Sequence, residues 1–333
     1  MVTIEEQLYA TQQQNLVYNH DFRYHSNLQR GSGVDYGVPD GWQYEDKGPN
    51  GSIGFNADTD QCVIEKSEND QPMLFQQVIS EFPRWQQALL GQTISANFEI
   101  NSTHGDVKLF LTDGINSSVM VVNGSRDFNV ALQLNVSKDA KHVTLGIETS
   151  VPFLKLLLSR IYANLGQVAL ASLPCKVVGI IGEQKQYIAT ENPPAEELSL
   201  CHSSTELSQQ YTRLNTVLNK RFGEGKNGYS LLPDIRGYFG RAWDNGSATD
   251  PDAKSRKAWG DSKVTGDHVG TMQEDAFKKH SHDLRFTISK LRAGAQGAAT
   301  LVATDQLSKT VNASTSEETR SKNISKLYTI KWA

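Results

Sequence analysis

His280-Ser281-His282, set within Gly270–Leu284, is the stretch of this chain whose residue types and spacing could do chemistry. In an extended segment alternate side chains share a face, which puts the two imidazoles on one side, about 7 Å apart. Two histidines are too few to close a metal site. Three chains around one axis would supply six imidazole nitrogens, an octahedron, so the pair points to a trimer with an axial metal. The plainer alternative is two solvated histidines in a loop.

Composition narrows what else the chain could be. Its 333 residues suggest two domains, because a single core seldom grows past about 250–300 residues. Apolar residues make up 38 %, with five Trp, 12 Phe and 11 Tyr, enough for packed cores. A net charge of −4 and the lack of any Lys/Arg block argue against nucleic-acid binding. Cys62, Cys175 and Cys201 are odd in number and widely spaced, which is neither a disulfide framework nor a zinc signature. They suit folding in a reducing cytoplasm. The polar stretch Met1–Gln14 does not read as a signal peptide, and apolar runs such as Leu154–Leu158 are too short to cross a bilayer.

The elements that must position these residues are mostly strands. Residues 1–14 read as a polar lead-in. After Asn15 come nine short alternating runs: 52–57, 61–66, 73–80, 92–102, 106–112, 117–123, 128–136, 141–149 and 153–165. Turn chemistry such as Asp113-Gly114 and Asn123-Gly124 separates them, and the spacing predicts an antiparallel sandwich. Phe82–Gly91 reads as a short helical turn. Residues 173–190 form an apolar connection, and Pro193-Pro194 interrupts regular pairing. Ser203-Ser-Thr-Glu206 spells a capping box ahead of Leu207, Tyr211, Leu214, Val217, Leu218 and Phe222, which predicts an amphipathic helix of about five turns ending at Gly223.

Two family resemblances follow from the residues. Asn15-Leu-Val-Tyr-Asn-His-Asp-Phe-Arg23 and Val38-Pro-Asp-Gly-Trp42 resemble the opening of carbohydrate-binding jelly rolls, over roughly residues 15–172, with His20 where Gly is usual. Such modules bind sugar on exposed aromatic platforms, for which Tyr24, Tyr36, Trp42, Tyr44 and Trp85 are candidates. Core or hinge roles are the alternative for Trp42 and Trp85. Residues 191–333 resemble the phage tail-collar domain of short tail fibres and receptor-binding fibre tips. The matching motifs are Pro194–His202, Leu232-Pro-Asp-Ile-Arg-Gly-Tyr-Phe239, Gly270–His282 and Glu318-Thr-Arg-Ser-Lys-Asn323, followed by an apolar closing strand.

Together the two resemblances imply a mainly β chain, an N-terminal jelly-roll sandwich followed by an α+β tail-collar head, and the second implies an intertwined homotrimer. His280 and His282 from three subunits would hold one structural divalent metal, Zn or Fe, on the threefold axis. Asp234, Arg236, Glu318 and Arg320 would form ion pairs rather than a catalytic set. Arg256, Lys257 and Trp259 in loop 244–262, with Lys290 and Arg292 in the segment 285–315, would touch a cell-surface receptor. The implied role is attachment of a phage or phage-tail-like particle to a host surface polysaccharide, without catalysis, membrane insertion or nucleic acid. Its partners would be tail or baseplate proteins, its location the virion tail, and its site of synthesis the host cytoplasm. A glycan depolymerase with a jelly-roll accessory domain, and a purely structural baseplate or collar component, are the alternatives.

Overall fold

A computed structural model of the chain describes residues 13–26, 37–275 and 323–333. All nine strands expected from the alternating runs form, and the described secondary structure is mainly β with antiparallel sheets. One sheet holds β1 (Gln43–Asp46), β4 (Met73–Val78), β9 (Thr144–Thr149), β6 (Asp106–Thr112) and β7 (Ser117–Asn123), in the order β1-β4-β9-β6-β7. The second holds β2 (Ser52–Asn56), β3 (Gln61–Glu65), β10 (Lys155–Leu165), β5 (Thr93–Ser102) and β8 (Arg126–Asn135), in the order β2-β3-β10-β5-β8. Alternation does the sorting: in β6, Val107, Leu109 and Leu111 point inward, opposite Asp106, Lys108, Phe110 and Thr112 on the outer face. The inward sets of both sheets interleave in a core that includes Trp42, Phe75, Phe98, Leu109, Ile147 and Leu156. The short helix α1 (Trp85–Leu89) crosses between β4 and β5.

The motif that resembles a jelly-roll opening works as a brace. Asn15 Oδ1 accepts hydrogen bonds from the amides of Val17 and Ala163, which lays residues 15–20 along β10. Gln77 grips Tyr18 from both sides, its Oε1 accepting from the Tyr18 amide and its Nε2 donating to the Tyr18 carbonyl, each at 2.8 Å. Asn19 accepts from the Tyr24 amide and donates to the carbonyls of Tyr24 and Asp40. Left-handed backbone falls at Asn19 (φ 52°) and Phe22 (φ 61°) and not at His20, so the residue that departs from the usual Gly sits where any side chain is tolerated.

A smaller core follows, formed by Tyr18, Val177, Ile181, Leu200, Leu214 and Leu218 with their neighbours. A three-stranded sheet flanks it, β11 (Gln184–Tyr187), β13 (Leu327–Lys331) and β12 (Glu197–Ser199), with the closing strand β13 in the middle. The described residues up to Gln273, together with Lys326–Ala333, form one compact unit, and Ala333 reaches into the sandwich core.

The long helix expected over this region is replaced by a single 3₁₀ turn, Gln209–Tyr211, and a seven-residue helix α2 (Thr212–Leu218). Asn219 and Lys220 both adopt left-handed backbone and end the helix one turn before Gly223. The capping-box spelling is not used as a cap. Glu206 instead accepts from the amides of Asn227 and Tyr229 and from the Asn227 side chain, closing the 225–229 turn. The helix N-terminus is capped across the fold by Glu81, whose two carboxylate oxygens accept from the amides of Thr212 and Arg213 at 2.7 and 2.8 Å. Arg213 is fully buried and donates to the carbonyls of Glu81 and Leu16. Burial pushes the Glu81 carboxyl up, against the pull of the Arg213 charge and the amides it accepts from.

Candidate functional site

The sequence places few large aromatics in polar, Gly-rich surroundings, and the segment 233–272 is where they gather. Only one 3₁₀ turn, Ala253–Ser255, and one isolated bridge, Lys257 with Met272, give it regular backbone among the described residues. Loop backbone bonds, such as those from the Ser262 amide to the Trp259 carbonyl and from the Gly266 amide to the Arg256 carbonyl, and side chains hold the rest. Asp244 accepts from the amides of Asp250 and Ala248 and from the Ser247 hydroxyl. The Asp250 amide foremost, with the Ser247 hydroxyl and other loop amides, holds the Asp244 carboxyl below its ordinary range. Asp267 ties the loop across itself, its carbonyl accepting from Trp243 Nε1 at 3.1 Å and its carboxylate from the Gly246 amide at 2.8 Å.

These ties shape a cavity of about 990 Å³ between the loop, the end of α2 and the three-stranded sheet. Tyr238, Phe239, Trp243 and Trp259 line it, over a floor that includes Ile181 and Leu218. The Tyr238 and Trp259 rings lie 4.8 Å apart, tilted at 52°, and Phe222 meets Trp259 edge-on at 6.3 Å. Phe239 is 68 % exposed, so one wall opens to solvent. Flat aromatic faces beside polar groups are what a pyranose ring needs, since its axial C–H groups pack on the ring face while its hydroxyls seek donors and acceptors.

The arginines in the wall are mostly committed to the scaffold. Arg256 donates from Nε to Thr271 Oγ1 at 2.9 Å, from Nη1 to Gln273 Oε1 at 2.6 Å, and from Nη2 to the Thr271 carbonyl at 2.9 Å. Arg241 and Arg256 share the Asp250 carboxylate at 3.2 and 3.5 Å. Arg221 donates to the Val269 carbonyl at 2.7 Å. Arg256, expected from the sequence as a receptor contact, therefore serves first as a fork that braces the loop, and its charge is partly offset.

The other sequence candidates separate clearly. Trp42 is fully buried, stacked on Phe75 at 4.6 Å and 6°, with its Nε1 donating to the Asn19 carbonyl, so it is a core residue and no sugar platform. Tyr44 and Trp85 are half-buried against the same core. Tyr24 is 46 % exposed and stacks on Tyr18 at 6.2 Å, which leaves it accessible as a platform. Trp259 belongs to the cavity, and the Lys257 side chain is exposed beside it. Asp234 and Arg236 pair with each other within one chain at the surface, with two hydrogen bonds of 2.8 and 2.6 Å. Tyr36, His280, His282, Lys290, Arg292, Glu318 and Arg320 lie outside the described residues. Among the described residues no group of three or more His, Cys, Asp or Glu could hold a metal ion, and no helix is long and apolar enough to cross a membrane.

Tyr238 and Phe239 were readable in the sequence only as part of a motif, and Trp243 was not singled out at all. The signal that could have singled them out is aromatic density in a loop otherwise built of Gly, Asp and Ser.

No family model matches the sequence. Protein RhiB of Rhizobium leguminosarum bv. viciae is 32 % identical over 143 residues, covering 41 % of this chain and 65 % of RhiB. The chain thus spans just under two-thirds of that relative. Among solved structures the chain is similar to TmCBM61 in complex with β-1,4-galactotriose, at 9 % identity and a TM-score of 0.33, covering 45 % of this chain and 97 % of that one. It is also similar to the enzymatically active domain of bacteriophage CBA120 tailspike protein 4, at 13 % identity and a TM-score of 0.34, covering 46 % of this chain and 21 % of that one. A CBM4 structure matches at 12 % identity and a TM-score of 0.33, over 45 % of this chain and 99 % of that one.

Proposed function

We propose that this protein attaches a phage, or a phage-tail-derived particle, to a bacterial surface glycan, and that it does so by binding without hydrolysis. The observation that carries the proposal is the aromatic cavity under loop 233–272, where Tyr238 and Trp259 present tilted rings on a braced scaffold. The tail-collar motifs over residues 191–333 support placing the protein in a virion tail, next to tail or baseplate proteins. On this reading the chain acts as a homotrimer. His280 and His282 of three subunits hold one structural Zn or Fe ion on the axis, and six imidazoles leave no position open for catalysis. Three weak sites on one particle would give avidity with no new contact in any of them.

The test is adsorption of the purified chain to a panel of bacteria and their extracted polysaccharides, with Trp259→Ala and Tyr238→Ala alongside. Saturable binding that both variants weaken, with no sugar released, is the expected result. Release of oligosaccharide would replace attachment by depolymerase activity. Absence of binding to every surface would leave a structural baseplate or collar part.

A further inference from the structure

The sandwich has four sheet edges, β1, β7, β2 and β8, and β7 is built unlike the others. It pairs with β6 alone, so the backbone N–H and C=O groups on its far side have no strand partner among the described residues. The other edges are guarded. β1 carries Glu45 and Asp46, and β8 exposes Arg126, Asp127, Asn129 and Gln133. Against the five-residue β2 the chain passes at Gly37, where an added Cβ would stand 2.6 Å from the Ile53 carbonyl oxygen. From Ile115 to Gly124, by contrast, the sequence Ile-Asn-Ser-Ser-Val-Met-Val-Val-Asn-Gly holds no charge and no proline, and its register with β6 runs unbroken. A straight, uncharged edge rich in β-branched residues is a template for another strand.

Burial along β7 points the same way. Met120 stands opposite Leu109 on the inward side, yet Leu109 is fully buried while Met120 is 46 % exposed. On the outer side Val119 stands opposite the buried Phe110 and is itself exposed, and Val121, opposite Lys108, is 55 % exposed. Both faces of this strand present apolar side chains to water, and alternation alone would have buried one of them.

We infer that β7 pairs antiparallel with the β7 of a second copy of this chain, across a twofold axis through Met120. The strand's own sequence selects that occupant. The axis places Val119 opposite Val121 on the outer face, Met120 opposite its own counterpart and Ser118 opposite Val122 on the inner face, and Ser117 opposite Asn123. No charge falls anywhere in the pairing, so no like charges meet, whereas a strand carrying Lys or Glu would set it against valine. Each copy answers the other's open backbone groups, and the exposed valines cover one another. The contact is isologous and closes at two copies. It is separate from the threefold contact proposed for residues 191–333: with its axis across the threefold one, it doubles a trimer as it doubles a monomer.

The experiment is sedimentation of the full chain over a concentration series, wild type beside Val119→Lys/Val121→Lys. The wild type should show twice the mass of the lysine variant, six copies against three in a trimeric protein. Two copies against one would fail the threefold reading and leave this one standing. Met120→Cys supplies the second readout. Directly opposed residues of an antiparallel pair stand about 4.5–5.5 Å apart between Cα atoms, within disulfide reach. Mild oxidation should therefore link Met120→Cys into a doubled band on a non-reducing gel. Val119→Cys, whose opposite number is Val121, should stay at the background set by Cys62, Cys175 and Cys201 in the wild type. Equal masses for the wild type and the lysine variant overturn the inference, whether the edge is bare or taken by another strand. Cross-linking of Met120→Cys no greater than that of the wild type overturns it as well.

Discussion

Two tryptophans show how differently one residue type is used in this chain. Trp42 has no exposed surface and stacks on Phe75, so Trp42→Ala should cost about 3–5 kcal/mol in denaturant unfolding, the range for removing a large buried aromatic. Any loss of glycan binding in that variant would follow from unfolding. Trp259 is half-buried at a cavity edge with Tyr238 and Phe222, so Trp259→Ala should weaken glycan binding at least tenfold while the sandwich still melts as a unit. Composition could not separate the two, because both stand beside Gly in polar stretches. What distinguishes them is their place in the fold: the strand that follows Trp42 pairs with β4, while Trp259 sits in a loop held by side-chain bonds and one isolated backbone bridge.

At the scale of elements, the strands were legible because period-2 alternation and turn residues state both the face and the ends of each run. The helix was not, because its cap is supplied from β4's exit, more than a hundred positions away. Ser203 and Glu206 satisfy the local spelling, yet Glu81 provides the acceptors. Glu81→Ala should therefore cost about 1–2 kcal/mol in denaturant unfolding, since it leaves the Thr212 and Arg213 amides without their acceptors. The three-stranded sheet carries its own pH dependence. Burial alone would raise the Glu197 carboxyl, but hydrogen bonds from the Thr329 hydroxyl, the Lys185 ammonium and the Tyr187 hydroxyl outweigh it and hold the group below its ordinary range. A carboxyl depressed in the folded state adds stability above its unfolded value, about 4.3, and loses it as pH falls through the folded value. Melting temperature should accordingly drop below about pH 4, and Thr329→Val should move that drop to higher pH.

For the whole molecule, the sandwich and the described residues after 173 belong to one compact unit, joined where the Ile181 amide donates to the Tyr18 hydroxyl, where Glu81 accepts from the Thr212 and Arg213 amides, and where Ala333 packs into the sandwich core. The sequence reading drew a boundary at the proline pair, where composition changes. The physical joint is made by polar side chains on either side of it, and composition does not register such contacts. The cavity was only half visible for the same reason: Trp259 and Arg256 stood out as residues, while their arrangement depends on Asp244, Asp250 and Asp267 folding the loop onto itself. The proposed trimer makes its own prediction. Purified protein should contain one metal ion per three chains by elemental analysis and light scattering, and His280→Ala with His282→Ala should remove the ion and lower the oligomer's melting temperature. The most direct test of the central claim is equilibrium binding of the chain to an array of bacterial surface polysaccharides, with the Tyr238→Ala/Trp259→Ala double variant beside it. Attachment through the aromatic cavity predicts saturable binding to at least one polysaccharide and its loss in the folded double variant. Binding that the double variant leaves unchanged, or no binding to any polysaccharide, would contradict it.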